Sequence, residues 1–438
     1  MRTQDRWGQV LFDREAGTPD TPDRPDRLDR LAHPAPSVRP GAARRPLYPV
    51  SRVHLNAMSD DIGMWQHARG VEPDPRFGYC TDDVARALVV DVRHARELGP
   101  AAVDGSIRRS LRFVGDAFNP VSGRFLNLRQ ADGRWLDTDA SEDCQARALV
   151  GLAAVMVEMP GTELADRARE LFDRALPVAG SFGHARAISA AILACDSAID
   201  AGSSAEAESA FELLAARLAS WFGDTGGESL PRTFRPESSR LGGLFARSRR
   251  QSGLTSPLEW LWPEPVLTYE NALMPRALIV AGRRLGQTAL IARGCSVLDW
   301  LVESQVGESG QFSPVGNSNW WPRTGQRSQF DQQPIEAATM VSAAADAFRA
   351  TGRGRYLDAA EEAYGWFLGD NDLGLALADP ARGACYDGLT PRGPNQNQGA
   401  ESTLMWLTAL EQMRELRRLS QTNPRAGVEA APQSGQGA

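Results

Sequence analysis

Apolar positions recur with a helical period through most of the chain. Val84, Leu88, Val92 and Ala95 fall on one face, as do Leu149, Leu152, Val155 and Met156, the mark of helices that bury one stripe. The pattern predicts helices at 50–60, 82–98, 104–118, 142–158, 163–177, 184–201, 205–221, 269–286, 288–306, 334–351, 354–368 and 400–419. Several are joined by short turns, such as Leu98-Gly99-Pro100 and Leu285-Gly286-Gln287, which set neighbours antiparallel. Twelve helices make six hairpins if the first pairs with the last. The other joints, 61–81, 119–141, 222–267, 307–333 and 369–399, exceed the roughly 15 residues usual for loops in compact domains. Long and short joints alternate, so the long ones gather at one end. The expectation is an all-α fold, one (α/α)6 toroid over residues 47–419, with alternate helices forming an inner ring.

The flanks read differently. Residues 1–46 are crowded with Pro, Arg and Asp, as in Thr-Pro-Asp-Thr-Pro-Asp-Arg-Pro-Asp-Arg, and bury too little apolar surface to offset their ordering entropy. A disordered leader is expected there, and a disordered tail over 420–438, rich in Gly, Gln, Pro and Ala.

Six times a polar turn runs into an alanine-rich helical stretch, among them Thr81-Asp-Asp-Val-Ala-Arg-Ala-Leu88, Ser141-Glu-Asp-Cys-Gln-Ala-Arg-Ala-Leu149 and Gly399-Ala-Glu-Ser-Thr-Leu-Met-Trp-Leu407. Small residues allow close helix packing, and acids at the starts suit the helix dipole. Arg-Ala-Leu/Ile recurs at Arg86, Arg147, Arg186 and Arg276. Asp82 and Asp143 lie four residues before the first two, a spacing that predicts structural ion pairs along one helix face. The repeated starts collect Asp82, Asp83, Glu142, Asp143, Glu264, Glu270, Asp331, Glu336 and Glu401 at the long-loop end. One such acid by itself is a cap or salt-bridge partner; their excess is the signal. Cleaving a glycosidic bond takes two carboxyl groups, one protonated and one ionised, and burial with mutual repulsion separates their pKa values. Trp65, Trp135, Trp260, Trp262, Trp320 and Trp321 lie in the same loops. An indole face suits the C–H side of a pyranose, although Trp also anchors loops. Arg-rich 232–250 reads as solvated surface charge ahead of a grip for a phosphate or an acidic sugar.

Composition removes several classes. The net charge of −7 argues against a nucleic-acid binder. Five scattered cysteines with no CxxC pair read as free thiols of a cytoplasmic protein. No apolar run is long enough to span a bilayer, and the first residues resemble no signal peptide. No cofactor is expected, since GxGxxG and GxxxxGK[ST] are absent. No metal is expected, since His33, His54, His67, His94 and His184 lack ligand spacing. GxSxG is also absent.

Asp60-Asp61-Ile-Gly-Met-Trp-Gln66-His67, Gly78-Tyr79-Cys80-Thr81-Asp82-Asp83, Trp262-Pro263-Glu264 through Tyr269-Glu270-Asn271-Ala272, Phe330-Asp331-Gln332-Gln333-Pro334 and Asn395-Gln-Asn397-Gln-Gly399-Ala400-Glu401 stand in this order. Together they resemble a bacterial group of six-hairpin glycosidase-like domains, found alone or fused behind family 4-type glycosyltransferases, some near mannoside-utilisation genes. The resemblance spans about residues 50–415 and speaks more to fold than to activity. It implies a glycosyltransferase as one candidate partner. In the wider superfamily a Gly-Ala-Glu start to the last inner helix is where some glycosidases keep a catalytic Glu, which maps to Glu401. Asp is the more usual residue at position 270, so Glu270 is a departure that favours Asp83 as the partner acid.

The resulting expectation is a glycoside hydrolase acting on an oligosaccharide or glycoconjugate. Glu401 is the general acid and Asp83 the base or nucleophile, with Glu270 and Asp331 in reserve. Tyr79, Asp82, His184, Trp262, Glu264, Tyr269, Asn271, Gln333 and Asn397 are the candidate sugar-holding groups. One alternative is a sugar epimerase or isomerase using His184 with His67. The other is a non-catalytic carbohydrate-binding partner of a glycosyltransferase.

Overall fold

The computed structural model describes residues 44–137, 141–202, 205–223 and 260–422. The expected leader up to residue 43, the Arg-rich 232–250 segment and the tail from 423 lie outside the described residues. Arg45 and Pro46, counted with the leader, instead meet the helical body: Arg45 pairs with Asp370, and the Tyr364 hydroxyl donates to the Pro46 carbonyl at 3.1 Å.

The described residues form twelve α-helices: α1 (Val53–Ala57), α2 (Thr81–Leu98), α3 (Asp104–Ala117), α4 (Glu142–Glu158), α5 (Glu163–Ala175), α6 (Ala185–Asp200), α7 (Ala205–Trp221), α8 (Leu273–Arg284), α9 (Thr288–Ser304), α10 (Pro334–Thr351), α11 (Gly354–Phe367) and α12 (Ala400–Thr422). The even-numbered helices pack side by side in a closed ring, α2–α4–α6–α8–α10–α12 and back to α2. From α3 to α11, each odd-numbered helix backs the inner helix that precedes it in the chain. This is an (α/α)6 toroid. Two predicted elements differ. The first helix is one turn, so the sixth hairpin is α12 with only α1 in the outer position, tied by Arg52 to Asp91 of α2 at 2.6 Å and by His54 to the Gln398 carbonyl at 2.8 Å. The helix expected from 269 starts at Leu273, because Glu270 has φ 48°, a left-handed backbone that a right-handed helix excludes.

Burial sorts the rings. In α10 fifteen of eighteen residues are buried, which only an inner position explains. In α3 the buried residues reduce to one stripe, Ile107, Ser110, Leu111, Phe113, Val114 and Ala117, as expected of an outer helix. Small residues set the inner spacing. A Cβ on Gly151 of α4 would lie 2.7 Å from the Ala85 carbonyl oxygen of α2, so the two backbones nearly touch. Trp406 of α12 fills the outer layer, stacked on Tyr364 at 5.5 Å and packed on Phe367 at 5.4 Å.

The described parts of the long joints lead into the N-termini of inner helices, which share one end of the ring. They carry short antiparallel ladders that helical periodicity does not predict: Tyr79–Cys80 with Leu128–Arg129, and Val266–Leu267 with Trp321–Pro322. Gln332 bridges to Leu389, so the last two long joints are also stitched together. All five cysteines are buried and free. Among the described residues no helix is long and apolar enough to cross a membrane.

The close approach at Gly151 gives a test. Gly151→Ala is expected to lower the unfolding free energy by about 1–3 kcal/mol, read from urea denaturation. An unchanged midpoint would mean that α2 and α4 separate freely.

Candidate active site

Each inner helix delivers its first turn to the mouth, where unsatisfied N–H groups favour negative charge. The arginines decide how those charges are arranged. The predicted pairs of Asp82 with Arg86 and of Asp143 with Arg147 do not form, because each guanidinium reaches a carboxylate supplied by another turn or another segment. Arg86 Nη1 donates to Asp83 Oδ1 at 2.9 Å, and its Nη2 lies 2.7 Å from Glu401 Oε2 across the α2–α12 seam. Arg147 grips Glu270 at 2.6 and 3.3 Å, linking α4 to the segment that enters α8. Arg186 holds Glu264 at 3.0 and 3.2 Å, Thr268 Oγ1 at 2.7 Å and the Tyr269 carbonyl at 2.6 Å. A planar fork with five donors suits such divided duties.

The acids therefore fall into different states. Asp83 is buried, and desolvation pushes its carboxyl up to about 7 despite the opposing pull of Arg86; the charges of Glu401 and Asp82 add to the rise. Glu401, by contrast, has a side chain 43% exposed. One guanidinium holds both, which brings the two carboxyl groups together at the α2–α12 seam. Asp82 meets Asn127 at 3.3 Å, and burial raises its pKa too. Glu336, buried at the start of α10, accepts from the backbone N–H of Glu270 and from the Asn271 side-chain amide at 3.0 Å. Burial pushes it up to about 7, with those hydrogen bonds opposing. Its acceptance from the Glu270 N–H braces the left-handed turn that delays the start of α8 to Leu273.

Several expected sugar-holding groups are committed to structure. Tyr79 is 1% exposed, donates to Asp60 Oδ2 at 2.6 Å and stacks on Trp65 at 4.2 Å, which leaves no face for a sugar. Trp262 is 3% exposed and donates to Glu264 at 3.2 Å. Asn271 is buried between Glu336 and the Thr268 carbonyl. Asn397 accepts from Ala68 N–H at 2.8 Å and donates to Asp387. Tyr269 is half-buried, its hydroxyl donating to Asp143. Gln333 is the half-buried residue just before α10. Asp331 is half-buried with φ 62°. His184 stands at the start of α6, its side chain half exposed, with Nδ1 2.9 Å from Glu142 Oε2. His67 meets Asn397 at 2.9 Å and packs edge-on against Phe77.

The sequence reading missed three features of the mouth. It took the arginines as local partners, and it placed Glu336 in the crown without a role. It passed over Asp387, which accepts from Gly399 N–H at 3.0 Å and from the Ser402 hydroxyl at the head of α12. Burial raises Asp387 to about 6, and the charge of Glu401 contributes to that rise. No spacing rule links Asp387 to Glu401 through a loop. Among the described residues no group of three or more His, Cys, Asp or Glu is arranged to hold a metal ion.

No protein-family model matches this sequence, and no match is found among curated proteins. Solved structures do match in fold. The chain is similar to a D-mannose isomerase, with TM-score 0.59 at 10% identity, covering 83% of this chain and 94% of that one. A sugar epimerase from a ruminal bacterium gives 0.59 at 12% identity, with the same coverage of 83% and 94%. The GH76 alpha-mannanase of Bacteroides thetaiotaomicron gives 0.55 at 10% identity, over 84% and 94%. Identities this low establish a shared toroid and nothing finer. These relatives in fold are carbohydrate-active enzymes of both the isomerising and the hydrolysing kind.

The raised carboxyl of Asp83 has a thermodynamic consequence. Folded Asp83 keeps its proton to about pH 7, whereas its ordinary value is 3.8. Between those values the folded state binds more protons than the unfolded one, so the contribution of this group to stability falls as pH rises. Asp83→Asn is expected to flatten the decline of the urea midpoint over that window. Parallel curves for variant and unaltered protein would refute the assigned protonation.

Proposed function

We propose that the protein is a glycoside hydrolase acting on an oligosaccharide or glycoconjugate, with Asp83 and Glu401 as its catalytic pair. The observation that carries this reading is the single guanidinium of Arg86 shared by a buried, proton-retaining Asp83 and a half-exposed Glu401. The roles are the reverse of those expected from sequence. Asp83 gives its proton to the leaving glycosidic oxygen as the C–O bond breaks. Glu401, the carboxylate nearer solvent, activates water or attacks the anomeric carbon. Arg86 keeps the pair at one shared proton, since two ionised carboxylates would leave an uncompensated charge in a desolvated site. Glu270 and Asp331 remain in reserve. The cytoplasmic placement belongs to the same reading and is supported by the five free thiols.

One further observation supports an epimerase or isomerase as a second reading. His184 is half exposed with Glu142 on its Nδ1, which orients an imidazole for proton transfer, and sugar-isomerising enzymes are among the similar folds.

A glycan screen followed by single substitutions separates the two. Asp83→Asn and Glu401→Gln are each expected to lower kcat by about 10²–10⁴-fold with little change in KM. Activity is expected to decline above about pH 7, where Asp83 loses its proton. Full turnover by either variant would remove the assignment. Interconversion of a reducing sugar without release of a second one, abolished by His184→Ala, would establish the second reading instead.

A further inference from the structure

We propose that Trp320, with Tyr269 beside it, is the platform of a sugar subsite on the α8–α10 side of the mouth, and that it takes a neutral hexose unit. The inference rests on the carbohydrate reading above and adds to it where a sugar lies and of what kind.

The loop tryptophans separate by what holds them. Trp262 is buried beneath Arg186, and Trp65 is stacked on Tyr79. Trp135 packs on Phe113 at 5.4 Å, and Trp260 and Trp321 pack on Trp300 at 5.3 and 6.1 Å. Trp320 is half-buried, and among the described residues its ring neighbour is Tyr269, with centroids 6.4 Å apart and planes at 44°.

Its backbone is strained. Trp320 has φ 56°; Glu270 and Asp331 are the other non-glycine residues with positive φ among those described. Glycine takes this conformation at little cost, whereas a bulky side chain does not. The surroundings enforce it: Ser328 N–H donates to the Trp320 carbonyl at 2.9 Å, and the next residue, Trp321, is laddered to Leu267. The indole is only partly buried, so packing returns less here than it does for the enclosed Trp262. Strain that persists for a smaller return points to a functional use of the side chain. Tyr269 is correspondingly immobile, with Arg186 4.8 Å over its ring and its hydroxyl on Asp143. Two half-buried rings inclined at 44° offer their accessible parts to the C–H face of a pyranose.

Charge sets the sugar class. Arg86, Arg147 and Arg186 are each committed to carboxylates, while Asp331 adds an acid on the Trp320 loop. None of these inner-helix guanidiniums is left for a uronate, whereas carboxylates accept from neutral hydroxyls; the exposed Arg323, three residues along the Trp320 loop, is the cation that tetragalacturonate would use instead.

Calorimetric titration in a Glu401→Gln background, with mannotetraose, cellotetraose and tetragalacturonate as probes, tests the proposal. A neutral probe is expected to bind. Trp320→Gly is expected to weaken that binding roughly tenfold without lowering Tm, since glycine suits φ 56°. Trp320→Tyr is expected to restore most of the affinity. Equal binding by Trp320→Gly, or a marked fall in its Tm, would show a packing residue and overturn the platform alone. Preference for tetragalacturonate would overturn the sugar class. Binding of none of the three by the background protein would overturn the carbohydrate reading itself.

Discussion

Closing a ring of six helices on itself buries much of each of them, so the charges they carry are met by partners on neighbouring helices of the ring. That requirement runs through the whole structure. Arg96 of α2 pairs with Glu158 of α4, and Glu142 of α4 with His184 at the head of α6. Asp196 of α6 pairs with Arg284 of α8, and Arg276 of α8 with Asp346 of α10 at 2.7 Å. Arg349 of α10 meets Glu415 of α12 at 2.8 Å, and Glu401 of α12 meets Arg86 of α2 at 2.7 Å. Five of the six neighbouring inner pairs are thus joined by an ion pair and the sixth, α4–α6, by a carboxylate–imidazole contact, and the circuit closes where α12 meets α2. Breaking a buried member would leave an uncompensated charge, which costs far more than the pair itself contributes.

The chain meets this requirement with one chemistry. Its 48 Lys+Arg residues are all arginine, and no lysine occurs. A guanidinium divides its donors among several acceptors in fixed directions, which a compact ammonium does not do. At the mouth this division turns an acid crowd into distinct groups. Glu270 and Glu264 are consumed by Arg147 and Arg186. Asp83 and Glu401 share Arg86 and differ in exposure, and an acid/base pair needs that asymmetry. Backbone strain at Glu270, Trp320 and Asp331 is confined to the same end, where ladders between long loops hold it.

The fold was largely legible. The helical period marked the helices, alanine-rich stretches behind polar turns marked the inner ones, and alternating joint lengths placed the long loops together. The first helix was overestimated because its apolar pattern does not record that the chain stays irregular up to Arg52 and turns at Met58. The helix at 269 was overestimated because a Glu at left-handed φ has no sequence mark; only the Glu336 carboxylate across the mouth explains it. For the candidate site, residue types were legible and pairings were not. Asp82 and Arg86 at four-residue spacing invited a local ion pair, yet Asp83 and Glu401 offered Arg86 better geometry.

By itself, the sequence determined the toroid, the crown of carboxylates at one end and the aromatic loops around it, because periodicity and joint length are local properties. The tertiary structure alone decided which acids keep a proton, which are tied to arginine and which tryptophans are committed to packing. Those outcomes depend on desolvation and on partners hundreds of residues away: Arg86 and Glu401 meet only when the ring closes, and no spacing along the chain records that meeting.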